Sequence, residues 1–174
     1  KDVTLIDKNE KIGKKLFITG NGRCNITNYA PIDEFFDKVT RNKSFLYSSF
    51  YSFTNMDIIS LLERYGVKVK VERGNRVFPA SDKSSYVIKA FERFLEDNNV
   101  KLMLNSKVDY VYMKDNKFVV VIGENEMIFD KLLISTGGMS YPRTGSTGDG
   151  YRFAKSLGHT ITELMPSLVH IEIE

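Results

Sequence analysis

The stretch Lys131-Leu132-Leu133-Ile134-Ser135-Thr136-Gly137-Gly138 sets an apolar run of strand length directly against a glycine turn. What precedes it decides how it is read. Residues 108–113, 118–122 and 127–129 are short alternating segments separated by the polar turns Lys114-Asp115-Asn116 and Gly123-Glu124-Asn125, which predicts an antiparallel meander. Upstream of the meander, Val87, Ile88, Phe91, Phe94 and Leu95 recur at helical spacing, with Ser84 or Ser85 as the expected cap and Asn98-Asn99 as the stop. A strand over 100–104 follows at once.

Working outward, Thr54 opens a helix with Asp57 three residues on as its capping-box partner; Ile58, Leu61, Leu62 and Tyr65 give it an apolar face and Gly66 ends it. Residues 68–72 alternate as a strand, and 76–79 read as its hairpin partner. Residues 2–7 form an apolar strand ending in an acid, and 9–28 are loop chemistry with one helical turn near 14–18. On the far side, a loop over 141–148 leads to a helix over 149–157 that stops at Gly158. The order predicts an α/β fold. Residues 2–7, 100–104 and 131–135 are the expected parallel core, with carboxyl ends on one edge and the meander beside them.

The 174 residues suffice for one domain with a real core, and 42% hydrophobic with 27% charged residues is a globular composition, not a disordered one. No apolar run approaches the roughly 20 residues of a membrane helix, and no secretory signal is visible, so no membrane partner is expected. The single cysteine, Cys24, excludes an intrachain disulfide and suits a reducing cytoplasm. The chain begins within one apolar strand pattern, Val3-Thr4-Leu5-Ile6, and closes within another over 168–173, which reads as a chain cut at both ends. His159 and His170 have no Cys or acidic set beside them, so no metal site is expected.

Several segments carry chemistry. An acid at the end of a buried strand, as Asp7 is, can accept hydrogen bonds from both hydroxyls of an adenosine ribose. The glycines of Gly20-Asn21-Gly22-Arg23-Cys24-Asn25 let a backbone approach an anion, and Arg23 can add a charge-assisted bond to phosphate. A passive surface turn is the alternative. Thr136-Gly137-Gly138 after an apolar strand resembles the short Ala-Thr-Gly turn that approaches the FAD pyrophosphate in many flavoproteins, with Ser135 where alanine is usual. Thr147-Gly148-Asp149-Gly150 opens a helix whose N-terminus suits phosphate or a flavin carbonyl, although Asp149 can equally be the cap. Cys24 lacks the second thiol of a redox pair and reads as a small buried residue within its loop. The basic cluster Lys68, Lys70, Arg73 and Arg76, opposed only by Glu72, is either a solvated face or a surface for a phosphate-bearing ligand.

The runs Gly13-Lys14-Lys15-Leu16 and Gly20-Asn21-Gly22-Arg23-Cys24-Asn25-Ile26-Thr27-Asn28, with Arg76-Val77-Phe78-Pro79 and the run from Ser135 to Gly150, closely resemble the NAD(P)/FAD-dependent flavoproteins that include aminoacetone oxidase-like and bile-acid-reductase-like proteins. The resemblance covers essentially the whole chain. It implies a Rossmann-like FAD-binding domain of the two-dinucleotide-binding type, with residues 29–99 as a helical and hairpin segment between core strands and 107–129 as the meander. It further implies a glycine fingerprint before residue 1 and an inserted substrate domain after 174.

Carried over by position, Asp7 holds the adenosine ribose. Lys14, Lys15, Gly20, Gly22, Arg23, Cys24 and Asn25 line the cofactor, and Val108 presents its backbone to the adenine. Thr136, Gly137, Gly138, Thr147, Gly148 and Asp149 complete the cofactor set. The implied activity is FAD-dependent hydride transfer with NADH or NADPH as donor. The substrate is either a small molecule or RNA, for example uridine in ribosomal RNA. No residue declares itself the acid or base, and the sequence is silent on oligomeric state. A third outcome, a chain that binds nothing by itself, would show as a colourless preparation.

Overall fold

A computed structural model of the chain describes residues 2–165; Lys1, His170 and the apolar pattern over 168–173 lie outside the described residues. The structure divides into two compact units, Lys1–Ser106 and Lys107–Glu174.

In the first unit, strand β1 (Thr4–Ile6) leads to the short helix α1 (Lys14–Ile18) and strand β2 (Thr27–Asn28). Helix α2 (Ile32–Asp37), a 3-10 turn (Lys43–Leu46) and helix α3 (Tyr47–Ser52) come next. They are followed by helix α4 (Asn55–Arg64), strands β3 (Val69–Glu72) and β4 (Arg76–Pro79), helix α5 (Ser84–Asp97) and strand β5 (Lys101–Met103).

β1 and β5 pair in parallel, with Thr4 opposite Lys101 and Ile6 opposite Met103. β2, β4 and β3 form an antiparallel sheet in that order. The hairpin expected over 68–79 is therefore present, and β2 adds a third strand that the loop-rich composition of residues 9–28 conceals.

Helices α4 and α5 follow their sequence patterns. Thr54 and Asp57 form the full capping box, and Leu62, Val67, Val87 and Ala90 meet in one buried cluster with Cys24. Leu16, Ile26, Ile58, Tyr65 and Phe91 pack around it, so α1, the segment entering β2 and both long helices share a core. The two boundaries flanking α5 differ from expectation. The residue before α5 is Lys83, with no side-chain cap bond; Ser84 is already helical and buried, and the nearby accepting hydroxyl is that of Ser81, on the Lys83 N–H at 3.3 Å. Val100 does not join β5, because its N–H donates to the Leu95 carbonyl at the helix end (3.0 Å). Helices α2 and α3, whose composition carries no clean apolar stripe, are held by rings: Phe36 lies 4.2 Å from Tyr47 and 5.4 Å from Phe50 between centroids.

The second unit holds the meander, β6 (Tyr110–Lys114), β7 (Lys117–Ile122) and β8 (Asn125–Phe129), antiparallel in sequence order. A 3-10 turn (Pro142–Thr144) precedes helix α6 (Asp149–Ser156). α6 packs on β6, and the Ser156 hydroxyl donates to the Val111 carbonyl (2.7 Å).

Residues 131–135 correct the expectation of a third parallel strand. They join no ladder among the described residues, and Leu133 is 87% exposed. A strand is made by its neighbour's hydrogen bonds, and an apolar run alone does not supply them.

Candidate functional site

The parallel pair positions Asp7. Its backbone N–H donates to Met103 (2.9 Å) and its carbonyl accepts from Ser106 N–H (3.0 Å), so the residue is held where the carboxyl ends of β1 and β5 meet. The side chain is half-buried, and its Oδ1 accepts from both the backbone N–H (2.8 Å) and the side-chain amide (2.9 Å) of Asn9. Asn9 thereby fixes the carboxylate's direction through a local turn.

The Gly20–Asn25 turn is compact and strained toward left-handed backbone: φ is 57° at Gly20, 56° at Asn21, 82° at Gly22 and 64° at Cys24. Three of its N–H groups are directed inward. Gly22 donates to the Ile18 carbonyl (3.4 Å), Arg23 to Gly20 (3.3 Å) and Cys24 to Thr19 (2.9 Å). These N–H groups hold the turn together and do not form the open anion nest that the paired glycines suggest.

Arg23 also has protein partners. Its Nη1 donates to Glu72 Oε1 (2.9 Å) and Oε2 (3.2 Å) and to Asp82 Oδ1 (3.3 Å), and its guanidinium carbon sits 4.1 Å above the Phe78 ring. Lys70 completes the network, 2.6 Å from Asp82 and 3.1 Å from Glu72. The hydrogen bonds from Arg23, then those from Lys70, hold the Glu72 carboxyl below its usual range; Lys70 does the same chiefly for Asp82. Glu72 in turn raises Arg23, and Asp82 is the main cause of the upward shift at Lys70.

Cys24 is wholly buried in the core cluster, as its reading as a small buried residue within the loop anticipates. Burial pushes its thiol up, against an opposing hydrogen bond with Thr19, so it is not a ready nucleophile. Asn25 is exposed. Lys14 pairs with Glu10 one turn away (2.7 Å), which lowers the Glu10 carboxyl, and Lys15 is half-buried beside it on α1.

In the second unit the two glycine segments come together. The Gly148 N–H donates to the Gly138 carbonyl (3.1 Å). A Cβ on Gly137 (φ 74°) would lie 3.0 Å from the Ser146 hydroxyl, and one on Gly150 would lie 2.7 Å from that of Thr136. The Thr136 turn thus fits against the start of α6 with no room for a side chain at Gly150 and little at Gly137. Gly148 precedes the helix in left-handed conformation, so Asp149 is its first residue, not its cap. The Asp149 carboxylate accepts from the Thr147 hydroxyl (3.0 Å) and pairs with Arg152 (3.3 Å). Val108 stands half-buried two residues before β6, outside the ladder.

The residues missed from sequence are Glu72, Asp82 and Phe78. Lys70 and Glu72 are two apart on one strand and share a face, so their pairing was readable. Arg23, 49 residues away from Glu72, was not. Among the described residues no group of three metal-ligating side chains gathers, and no helix is long and apolar enough to cross a membrane.

Over 172 residues the chain is 28% identical to a 3-dehydro-bile acid delta(4,6)-reductase from Clostridium scindens, aligning 99% of this chain with 41% of that protein. It is 28% identical to a ribosomal RNA dihydrouridine synthase from Haemophilus influenzae, aligning 97% of this chain with 42% of that one. It is 29% identical to a protein of the same name from Escherichia coli, with 96% and 41% aligned. The chain therefore spans about two fifths of the length of these relatives. The sequence profile of the HI0933-like protein Rossmann domain matches residues 1–169, and the chain belongs to that family.

Proposed function

We propose that this chain is the FAD-gripping part of an oxidoreductase. The observation that carries the reading is Asp7: a carboxylate held at the carboxyl ends of a parallel strand pair, with both Asn9 hydrogen bonds on Oδ1. Oδ2 is then left to accept from a ribose hydroxyl, which is the donor set an adenosine ribose offers. In this reading Lys14, Lys15 and the Gly20–Asn25 turn border the cofactor and Val108 offers backbone to the adenine. The Thr136-Gly137-Gly138 turn with Thr147-Gly148-Asp149 lies along the pyrophosphate and flavin. Bound flavin supplies hydride transfer, with NADH or NADPH as donor; the protein's residues bind and orient it. A reducing cytoplasm suits the buried thiol of Cys24.

A small molecule reduced at a carbon–carbon double bond is the first substrate class, in keeping with the bile-acid reductase among the relatives. RNA is the second, favoured by two relatives named as ribosomal RNA dihydrouridine synthases and by Lys68, Arg73 and Arg76, all exposed on the hairpin. Lys70 drops out of that patch, because Glu72 and Asp82 neutralise it.

The test is the visible spectrum of the full chain. Flavin absorption that bleaches with NADH or NADPH, and flavin content that falls in Asp7→Ala, is the expected result. A colourless protein that takes up no FAD on dialysis overturns the reading. RNA affinity that falls in Arg73→Ala/Arg76→Ala, with a shallower salt dependence, would select RNA over the small molecule.

A further inference from the structure

We infer that the β3–β4 hairpin positions the Gly20–Asn25 turn, with Arg23 acting as its tether and Glu72, Asp82 and Phe78 setting cofactor affinity through the turn. The inference rests on the FAD reading for its consequence, but the tether itself stands on geometry.

Phe78 is 1% exposed and supports the turn at both ends. The Arg23 guanidinium covers its ring at 4.1 Å, and a Cβ on Gly20 would strike its Cε1 at 2.7 Å. Arg23 and Lys70 each contact both Glu72 and Asp82 within 3.3 Å, so charge is balanced inside the cluster. A phosphate approaching Arg23 would meet two carboxylates already in place, which disfavours Arg23 as a phosphate ligand. The chain leaving the turn continues onto the same hairpin: the Ile26 N–H donates to Val77 (2.8 Å) and the Asn28 side-chain amide to Gly74 (2.9 Å). Asn21 and Cys24 hold positive φ without being glycine, which is costly, and such a turn persists only where its surroundings over-determine it. The hairpin supplies that constraint.

The two roles for Arg23 predict opposite signs. If Arg23 tethers, Glu72→Gln weakens FAD binding to the full chain about tenfold at low salt, as does Arg23→Ala, and the double variant is no weaker than the weaker single one. If Arg23 binds phosphate, Glu72→Gln releases it and FAD binds more tightly, while Arg23→Ala weakens; that pattern overturns the inference. Unchanged affinity in both single variants overturns it as well.

A second measurement needs no cofactor. Cys24 is buried within the turn, so loosening the tether should speed its modification by a thiol reagent about tenfold in Glu72→Gln. Should the wild-type full chain bind no FAD, the FAD reading fails and the thiol rate alone decides the tether. A rate unchanged from wild type then sinks it.

Discussion

The two glycine-rich turns look alike as sequence and are held by different physics. The turn at residues 20–25 is fixed from a distance: its Arg23 reaches carboxylates 49 and 59 residues away, and its Gly20 rests on a ring of the same hairpin. The turn at 136–138 is fixed from nearby, by the Gly138–Gly148 hydrogen bond and by the fit of Gly137 and Gly150 against Ser146 and Thr136. One depends on charge and on the hairpin being in place; the other depends on close packing within a single stretch of chain. Glycine content alone does not distinguish a turn needing open space from one that needs a specific partner.

Four changes would break or sharpen this comparison. Gly20→Ala should be the most damaging. It combines a left-handed backbone with contacts at 2.7 Å to Phe78 and 3.0 Å to the Asn25 backbone nitrogen, for a loss of about 2–5 kcal/mol read from urea unfolding. Gly137→Ala should cost about 1–3 kcal/mol, and removing the opposing hydroxyl in Gly137→Ala/Ser146→Ala should recover the steric share. If the double variant recovers nothing, close packing is not what holds the second turn. Gly22→Ala, with φ at 82° and nothing within 4 Å, should show the backbone cost alone, about 1 kcal/mol. A loss as large as at Gly20 would show that the ring contact is unimportant.

The smallest effect is electrostatic. Glu72 and Asp82 have carboxyls held below their usual values, so their stabilisation is present above the ordinary carboxylate range and is lost as pH falls through the lowered values. Unfolding of the first unit should therefore show a stability loss at acid pH that is shallower in Glu72→Gln. Because the groups are partly exposed, added salt should shrink it too. The 136–150 region should respond to neither variable through this network.

Much of the fold is legible because it is encoded locally. The capping box of Thr54 and Asp57, the apolar face of α5, the β3–β4 hairpin and the meander all rest on spacings of two to four residues, and the structure reproduces them. Asp7 is legible as a strand-end acid for the same reason. Helices α2 and α3 are not, because their stability comes from rings meeting between helices.

By itself, then, the sequence determined the α/β class, the order of most elements and the positions of the glycine turns, since turn chemistry and side-chain periodicity act over a few residues. Tertiary structure decided whether each candidate group is available. It buried Cys24 in the core, bound Arg23 to carboxylates far along the chain, turned three N–H groups inward and left 131–135 without a ladder among the described residues. The physical reason is that a hydrogen bond or ion pair is a property of two groups, and when the second lies tens of residues away no local pattern records it.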